Sequence, residues 1–184
     1  MKFPELNTER LRLKEITQEN AGDLLQIFSR KDVLQYYGME PLRELAEAKL
    51  LAKRFFDGWH NETSIRWGME YNEQLIGTIG YHNWNKTHKR AEIGYEIHPD
   101  FWRMGLGSEA LQAAVEFGFK TLGLHRIGAT VRSENKASLM ILEKFGFERE
   151  GILRGYQHSG GAFYDLVMLS IVAGAEGETG FVSA

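Results

Sequence analysis

Between Arg10 and Ile16, apolar Leu11, Leu13 and Ile16 are interleaved with charged positions, a spacing that predicts a half-buried first strand. The segment from Asn20 to Arg30 holds Leu24, Leu25, Ile27 and Phe28 at helical spacing, and after Pro41 a longer helical stripe follows in Leu45, Ala48, Ala52, Phe55, Phe56 and Trp59. From Ser64 the period changes to two. Ile65, Trp67 and Met69, then Leu75, Ile76, Ile79 and Tyr81, flank the turn-forming pair Asn72-Glu73 and predict a β-hairpin. In the next strand, Ala91 to Ile97, residues Ile93, Tyr95 and Ile97 share one face and Glu92, Gly94 and Glu96 the other, so two carboxylates project from one side.

After a loop from His98 to Met104, residues Gly107, Ala110, Leu111, Ala114, Val115, Gly118 and Leu122 mark a central helix. Arg126 to Val131 predicts a strand and Asn135 to Phe145 a short helix closed by Gly146. Phe147 to Leu153 and Phe163 to Val172 predict two late strands. Antiparallel strands followed by a βαβα run predict a mixed sheet with helices on both faces. Residues 1–173 read as one domain, and the Gly/Glu-rich residues 174–184 as a loose tail.

Hydrophobic residues make up 43% and charged residues 26% of the chain, the balance of an ordinary globular domain. Twenty-two basic against 25 acidic side chains leave a net charge of -3, which gives no sequence-wide case for DNA, RNA or an acidic membrane surface as partner. The absence of cysteine excludes disulfides, thiolate metal sites and a cysteine nucleophile. The six histidines show no metal-ligand spacing, so no catalytic metal is expected. The N-terminus lacks an apolar signal-peptide core and no stretch approaches the ~20 apolar residues that span a bilayer, so the expected location is the cytoplasm.

Candidate chemistry concentrates in Trp102-Arg103-Met104-Gly105-Leu106-Gly107-Ser108-Glu109-Ala110, a glycine-rich turn between a strand and a helix. Unpaired backbone N–H groups and the helix dipole favour a phosphate there. The same stretch fits a G-x-G-x-x-G/A dinucleotide pattern or a purely structural turn. Two features count against a dinucleotide. Pro99 to Met104 separate the strand from the first glycine, and Glu92 and Glu96 do not suit a strand buried on both faces.

This turn resembles the R/Q-x-x-G-x-G/A pyrophosphate loop of the GNAT acetyltransferases. Asn135-Lys136-Ala137-Ser138 with Glu143-Lys144-Phe145-Gly146-Phe147 is similar to the N-x-x-S…E-K-x-G-F segment of the RimJ/RimL subgroup, which modifies ribosomal-protein N-termini. Thr8-Glu9-Arg10-Leu11-Arg12-Leu13 and Ala91-Glu92-Ile93-Gly94-Tyr95 resemble that subgroup's first and fourth strands, so the likeness spans most of Thr8 to Val172. One departure stands out: the R/Q position is Trp102, as the subgroup commonly has it, followed by Arg103.

The resemblance implies an α+β (mixed α/β), GNAT-like fold, with a mostly antiparallel sheet splayed between its fourth and fifth strands. It implies acetyl-CoA as cosubstrate, no metal, and a primary amine as acceptor, either a small molecule or a protein N-terminus. It also implies attack on the thioester without an acyl-enzyme, and a homodimer. The backbone of Arg103, Met104, Gly105, Leu106, Gly107 and Ser108 is then expected to hold the pyrophosphate, and Ile97 and His98 the pantetheine arm. Asn135 is either a helix N-cap or a cofactor contact. Ser138 is the expected proton donor to the leaving thiolate, Glu92 the expected base, and Glu96 a second carboxylate for the base or for attracting a cationic acceptor.

Two other functions fit parts of the pattern: a non-catalytic CoA-binding sensor on the same fold, and a dinucleotide-binding oxidoreductase. At pH 7 a lysine amine with a pKa of ~10.4 costs roughly 4.6 kcal/mol to deprotonate, against about 1 to 1.4 kcal/mol for an α-amino group, so an N-terminal acceptor asks less of a base.

Overall fold

A computed structural model describes residues 2–174. The expected tail begins at its edge, and residues 175–184 lie outside the described residues. The Leu11, Leu13 and Ile16 alternation forms β2 (Arg12–Glu15), preceded by a two-residue strand β1 (Leu6–Asn7) that its short, mixed sequence did not announce. Three helices follow, α1 (Ala21–Phe28), α2 (Lys31–Leu34) and α3 (Leu45–His60). The hairpin is β3 (Ile65–Tyr71) and β4 (Gln74–Asn85), turning at Asn72 and Glu73, both at positive φ. Then come β5 (Arg90–Ile97), α4 (Leu106–Lys120), β6 (Arg126–Arg132) and α5 (Lys136–Lys144), and last β7 (Glu148–Ser159) and β8 (Ala162–Val172).

The strands make one sheet in the order β1-β2-β3-β4-β5-β6-β8-β7, in which only β5 and β6 run parallel. The late hairpin is longer than the hydrophobic pattern suggested. Arg154 to Ser159 extend β7, pairing Gln157 with Tyr164 and closing on Gly160-Gly161. This stretch shows no hydrophobic alternation because most β7 side chains are exposed at the sheet edge.

The two sheet faces carry separate cores. One face presents Trp67, Met69, Ile79, Tyr81, Ile93 and Ile127 to α4 and α5 through Ala110, Leu111, Ala114, Leu139 and Leu142. Burying each larger side chain contributes about 1.5–3 kcal/mol. Small residues let α4 lie close to the strands: a Cβ on Gly118 would come within 2.4 Å of the Tyr81 hydroxyl, which donates to the Ala114 carbonyl. The other face packs Ile16 and Leu75 against Leu24, Ile27, Phe28, Ala48 and Leu51 of α1 and α3. Trp59, Trp67 and Tyr81 are all buried in the core.

β5 and β6 are the strands expected to splay, numbered one higher because of β1. Their pairing holds at Arg90↔Arg126, Ala91↔Ile127 and Glu92↔Gly128 and then stops, although both strands continue. From Ile93 onward they diverge, and the site forms in that gap.

Candidate active site

Beyond β5 the chain makes one turn of tight helix, Pro99–Phe101, and then the glycine loop. Arg103 and Gly105 both adopt positive φ, 62° and 77°, the second a conformation that glycine adopts without strain. The first α4 backbone bond runs from Glu109 N to Gly105 O, so the N–H groups of Leu106, Gly107 and Ser108 have no acceptor within the helix. The positive end of a 15-residue helix adds to their attraction for an anion. The loop is tied from two sides. Trp102 Nε1 donates to Ile97 O at 2.7 Å, and Arg10 donates to Met104 O at 2.8 Å while pairing with Glu109 at 2.7 Å.

The free edge of β5 supplies the next feature. His98 N–H donates to Ile76 O at 2.7 Å, and antiparallel pairing alternates, so even-numbered β5 residues bond to β4. The backbone groups of Ile93, Tyr95 and Ile97 therefore face the gap. His98 offers its backbone N–H to β4 and not to the gap, and Ile97 keeps its N–H there while its carbonyl is held by Trp102.

A cavity of about 450 Å³ runs through the gap, reaching Tyr95, Ser138, Asn135 and Leu142 on the α5 side and Tyr37, Phe55, Arg66 and Glu96 on the α3 side. Its floor is Gly94, where a Cβ would stand 3.7 Å from both Arg66 Nη1 and His82 Cε1.

The two strand-mates Glu92 and Glu96 have different surroundings. Glu96 lines the cavity but is buried, its side chain 2% exposed, in an ion pair with Arg66. Thr78 Oγ1 donates to Glu96 at 2.6 Å, Arg66 Nε donates to Thr78 at 2.9 Å, and Arg66 Nη1 donates to Gly94 O at 2.9 Å. Phe55 lies 5.8 Å from the same guanidinium. Glu96 is thus held in a buried ion pair, which leaves it without a free charge for the role of base or for a cationic acceptor. Glu92 stands just outside the cavity lining. His82 Nε2 lies 3.6 Å from it and Asn83 Nδ2 donates to it at 3.1 Å. The His82 contact foremost, and Asn83 and Arg90 after it, hold the Glu92 carboxyl below its ordinary value against partial burial. His82, which sequence reasoning passed over, lines the cavity between Glu92 and the Gly94 floor.

Across the gap, Asn135 caps α5 by accepting from Ser138 N at 3.2 Å. Ser138 Oγ lies 3.3 Å from the Tyr95 hydroxyl. Burial, opposed by the bond to Ser138, pushes the Tyr95 phenol up, so it is protonated at neutral pH. In the sequence Tyr95 stands out only as a member of the apolar face; its phenol end and its alternation with Gly94 are the signal of a further role.

Residues 10–148 match the family described as Acetyltransferase (GNAT) domain. The chain belongs to the GNAT family. It is 44% identical over 172 residues to the uncharacterized N-acetyltransferase YoaA of Bacillus subtilis, covering 92% of this chain and 97% of that protein. To the spermidine N(1)-acetyltransferase of Escherichia coli K12 it is 27% identical, covering 78% of this chain and 75% of that protein. Among solved structures, Mycobacterium smegmatis RimJ in complex with CoA-disulfide superposes with a TM-score of 0.83 at 22% identity, covering 92% of this chain and 86% of that one. This GNAT chain is an acetyl-CoA-dependent N-acetyltransferase. The glycine loop, the outward-facing β5 edge and the gap that opens after Glu92 fit the pyrophosphate, the amide-bearing arm and the thioester of that cosubstrate in turn. Among the described residues no helix is long and apolar enough to cross a membrane.

Proposed function

We propose that this GNAT enzyme acetylates the α-amine of a peptide or protein N-terminus by direct attack on the thioester in a ternary complex. The observation that carries the reading is the continuous cavity through the β5–β6 gap, which joins the α5 side, with Tyr95 and Ser138, to the α3 side above Gly94. Acetyl-CoA lies along the loop from Arg103 to Ser108, with its arm against the outward-facing N–H groups of Tyr95 and Ile97. The amine enters from the α3 side and meets the thioester over Gly94.

The proton lost by the amine passes through His82 to Glu92, whose carboxylate balances the charge. Ser138 donates to the departing thiolate and Tyr95 donates to Ser138 in turn, so the developing negative charge meets a prealigned pair of hydroxyls. Glu96 holds Arg66 and shapes the cavity wall without taking the proton, because its oxygens are already occupied by Arg66 and Thr78. An α-amine suits this modest machinery, since it costs about 1 to 1.4 kcal/mol to deprotonate at pH 7.

Thiol release from acetyl-CoA, measured with a panel of amines, tests the reading, with mass spectrometry locating the acetyl group. Acetylation at the α-amine of peptides is the expected result. Acetyl-CoA binding without transfer to any amine would instead support the non-catalytic sensor.

A further inference from the structure

Among the described residues three buried side-chain polar atoms have no hydrogen-bond partner: Trp59 Nε1, Arg132 Nε and Gln157 Oε1. Trp59 is in the core, but Arg132 and Gln157 both line the active-site cavity. One atom is a donor and the other an acceptor.

The two side chains belong to one assembly. Arg132, at the end of β6, lies 3.5 Å from the centre of the Tyr164 ring on β8, and Tyr164 is the cross-strand partner of Gln157 on β7. Both also hold the segment after α2, Arg132 through Gln35 O at 3.5 Å and Gln157 through Tyr36 O at 3.4 Å. A carbonyl only accepts, so Tyr36 O fixes the Gln157 amide with its nitrogen toward Tyr36 and its oxygen away from it. The Arg132 side chain is 11% exposed, and its ionic partner Glu134 is a half-exposed side chain at 3.5 Å. Arg66, the other guanidinium of the cavity, is fully engaged by Glu96, Thr78 and Gly94. Arg132 is therefore the cation with a donor to spare.

We infer that Arg132 and Gln157 read the group beside the acceptor's amine. Arg132 Nε–H donates to a carbonyl oxygen and Gln157 Oε1 accepts from an amide N–H. An amine followed by a peptide bond satisfies both. A free amino acid offers Arg132 a carboxylate but sets an oxygen against Gln157 Oε1. A polyamine offers donors only, leaves Arg132 Nε unpaired and brings its own charge toward a cation. A buried polar group left unpaired is costly, which makes this pair a filter on acceptor class. The inference rests on the cavity being the acceptor site, as proposed above.

The test compares kcat/KM at saturating acetyl-CoA for a tripeptide amide with a free N-terminus, the matching free amino acid, and spermidine. The wild-type enzyme should favour the tripeptide amide at least tenfold over each. Arg132→Lys retains the charge and removes the Nε donor; it should raise the tripeptide KM at least fivefold, leave kcat and acetyl-CoA affinity in place, and narrow the peptide-to-spermidine ratio. Gln157→Met should narrow the same ratio. Calorimetry of tripeptide amide and spermidine against the CoA-loaded wild-type protein gives a reading independent of the variants, and the peptide should bind more tightly. Transfer that favours spermidine or the free amino acid overturns this inference together with the proposed peptide acceptor, whereas an Arg132→Lys enzyme that slows all acceptors equally while wild type still favours the tripeptide amide overturns the inference alone. Acetyl-CoA binding with no transfer to any amine overturns both this inference and the function it rests on.

Discussion

Trp102 Nε1 donates to the carbonyl oxygen of Ile97 across 2.7 Å, closing the glycine loop onto the end of β5. The indole thus links the two parts of the proposed cosubstrate site, the loop assigned to the pyrophosphate and the strand edge assigned to the pantetheine arm. Removing the donor with Trp102→Phe should raise the acetyl-CoA KM about two- to tenfold, the worth of one net hydrogen bond, with kcat little changed. Steady-state kinetics with acetyl-CoA varied check this. An unchanged KM would mean the loop holds its shape without the bond.

Gly107 lies in the first turn of α4, where a Cβ would stand 3.1 Å from Ile97 Cδ1. The Val branches add bulk to that contact, so Ile97 or the loop backbone must shift. Gly107→Val should therefore raise the acetyl-CoA KM at least tenfold, well beyond Arg103→Ala, which removes only an exposed side chain. Equilibrium binding of CoA to both variants decides it, and a Gly107→Val protein with wild-type affinity would remove the loop from the site.

Ser138 and Tyr95 act as one donor relay if their 3.3 Å contact works as proposed. Ser138→Ala should lower kcat about 10²-fold with little effect on cofactor affinity, the usual scale for a lost proton donor. Tyr95→Phe should lower it less, and the double variant should be no slower than Ser138→Ala alone, because members of one network are not additive. A full-speed Ser138→Ala enzyme would reduce the serine to a helix-face hydroxyl.

Glu92 is held below the ordinary carboxyl value, chiefly by His82, so its charged form persists to lower pH than an isolated glutamate. Activity that depends on the carboxylate is present above that depressed value and is lost as pH falls through it. The acceptor α-amine separately loses reactivity below its own pKa of about 8. In wild type the profile of log kcat/KM should therefore steepen again at acid pH. Glu92→Gln should depress kcat/KM and remove that second steepening; His82→Gln should depress it similarly, and the pair together no further. A Glu92→Gln enzyme with the wild-type rate and profile would show that water alone takes the proton.

The periodicity of Ile65 to Tyr81 and of Gly107 to Leu122 was enough to place the hairpin and the central helix, since apolar spacing reports which face of an element is buried. The glycine loop was equally legible, because Gly105 and Gly107 mark a local backbone requirement. Edge positions were not: β1 is two residues long, and the second half of β7 is exposed and carries no alternation.

Alternation along Ala91 to Ile97 put Glu92 and Glu96 on one side of a strand, and that much the chain determined by itself. What each carboxylate became was decided by residues from other strands. Arg66 on β3 neutralises Glu96 and Thr78 on β4 donates to it, while His82 and Asn83 on β4 attend Glu92. Arg132, Gln157 and Tyr164 come from three different strands, and none of their spacings along the chain signals a shared site. Local sequence sets backbone conformation and which face a side chain takes; the partners that set its charge and hydrogen bonding lie across the sheet, and only the register of pairing brings them into reach.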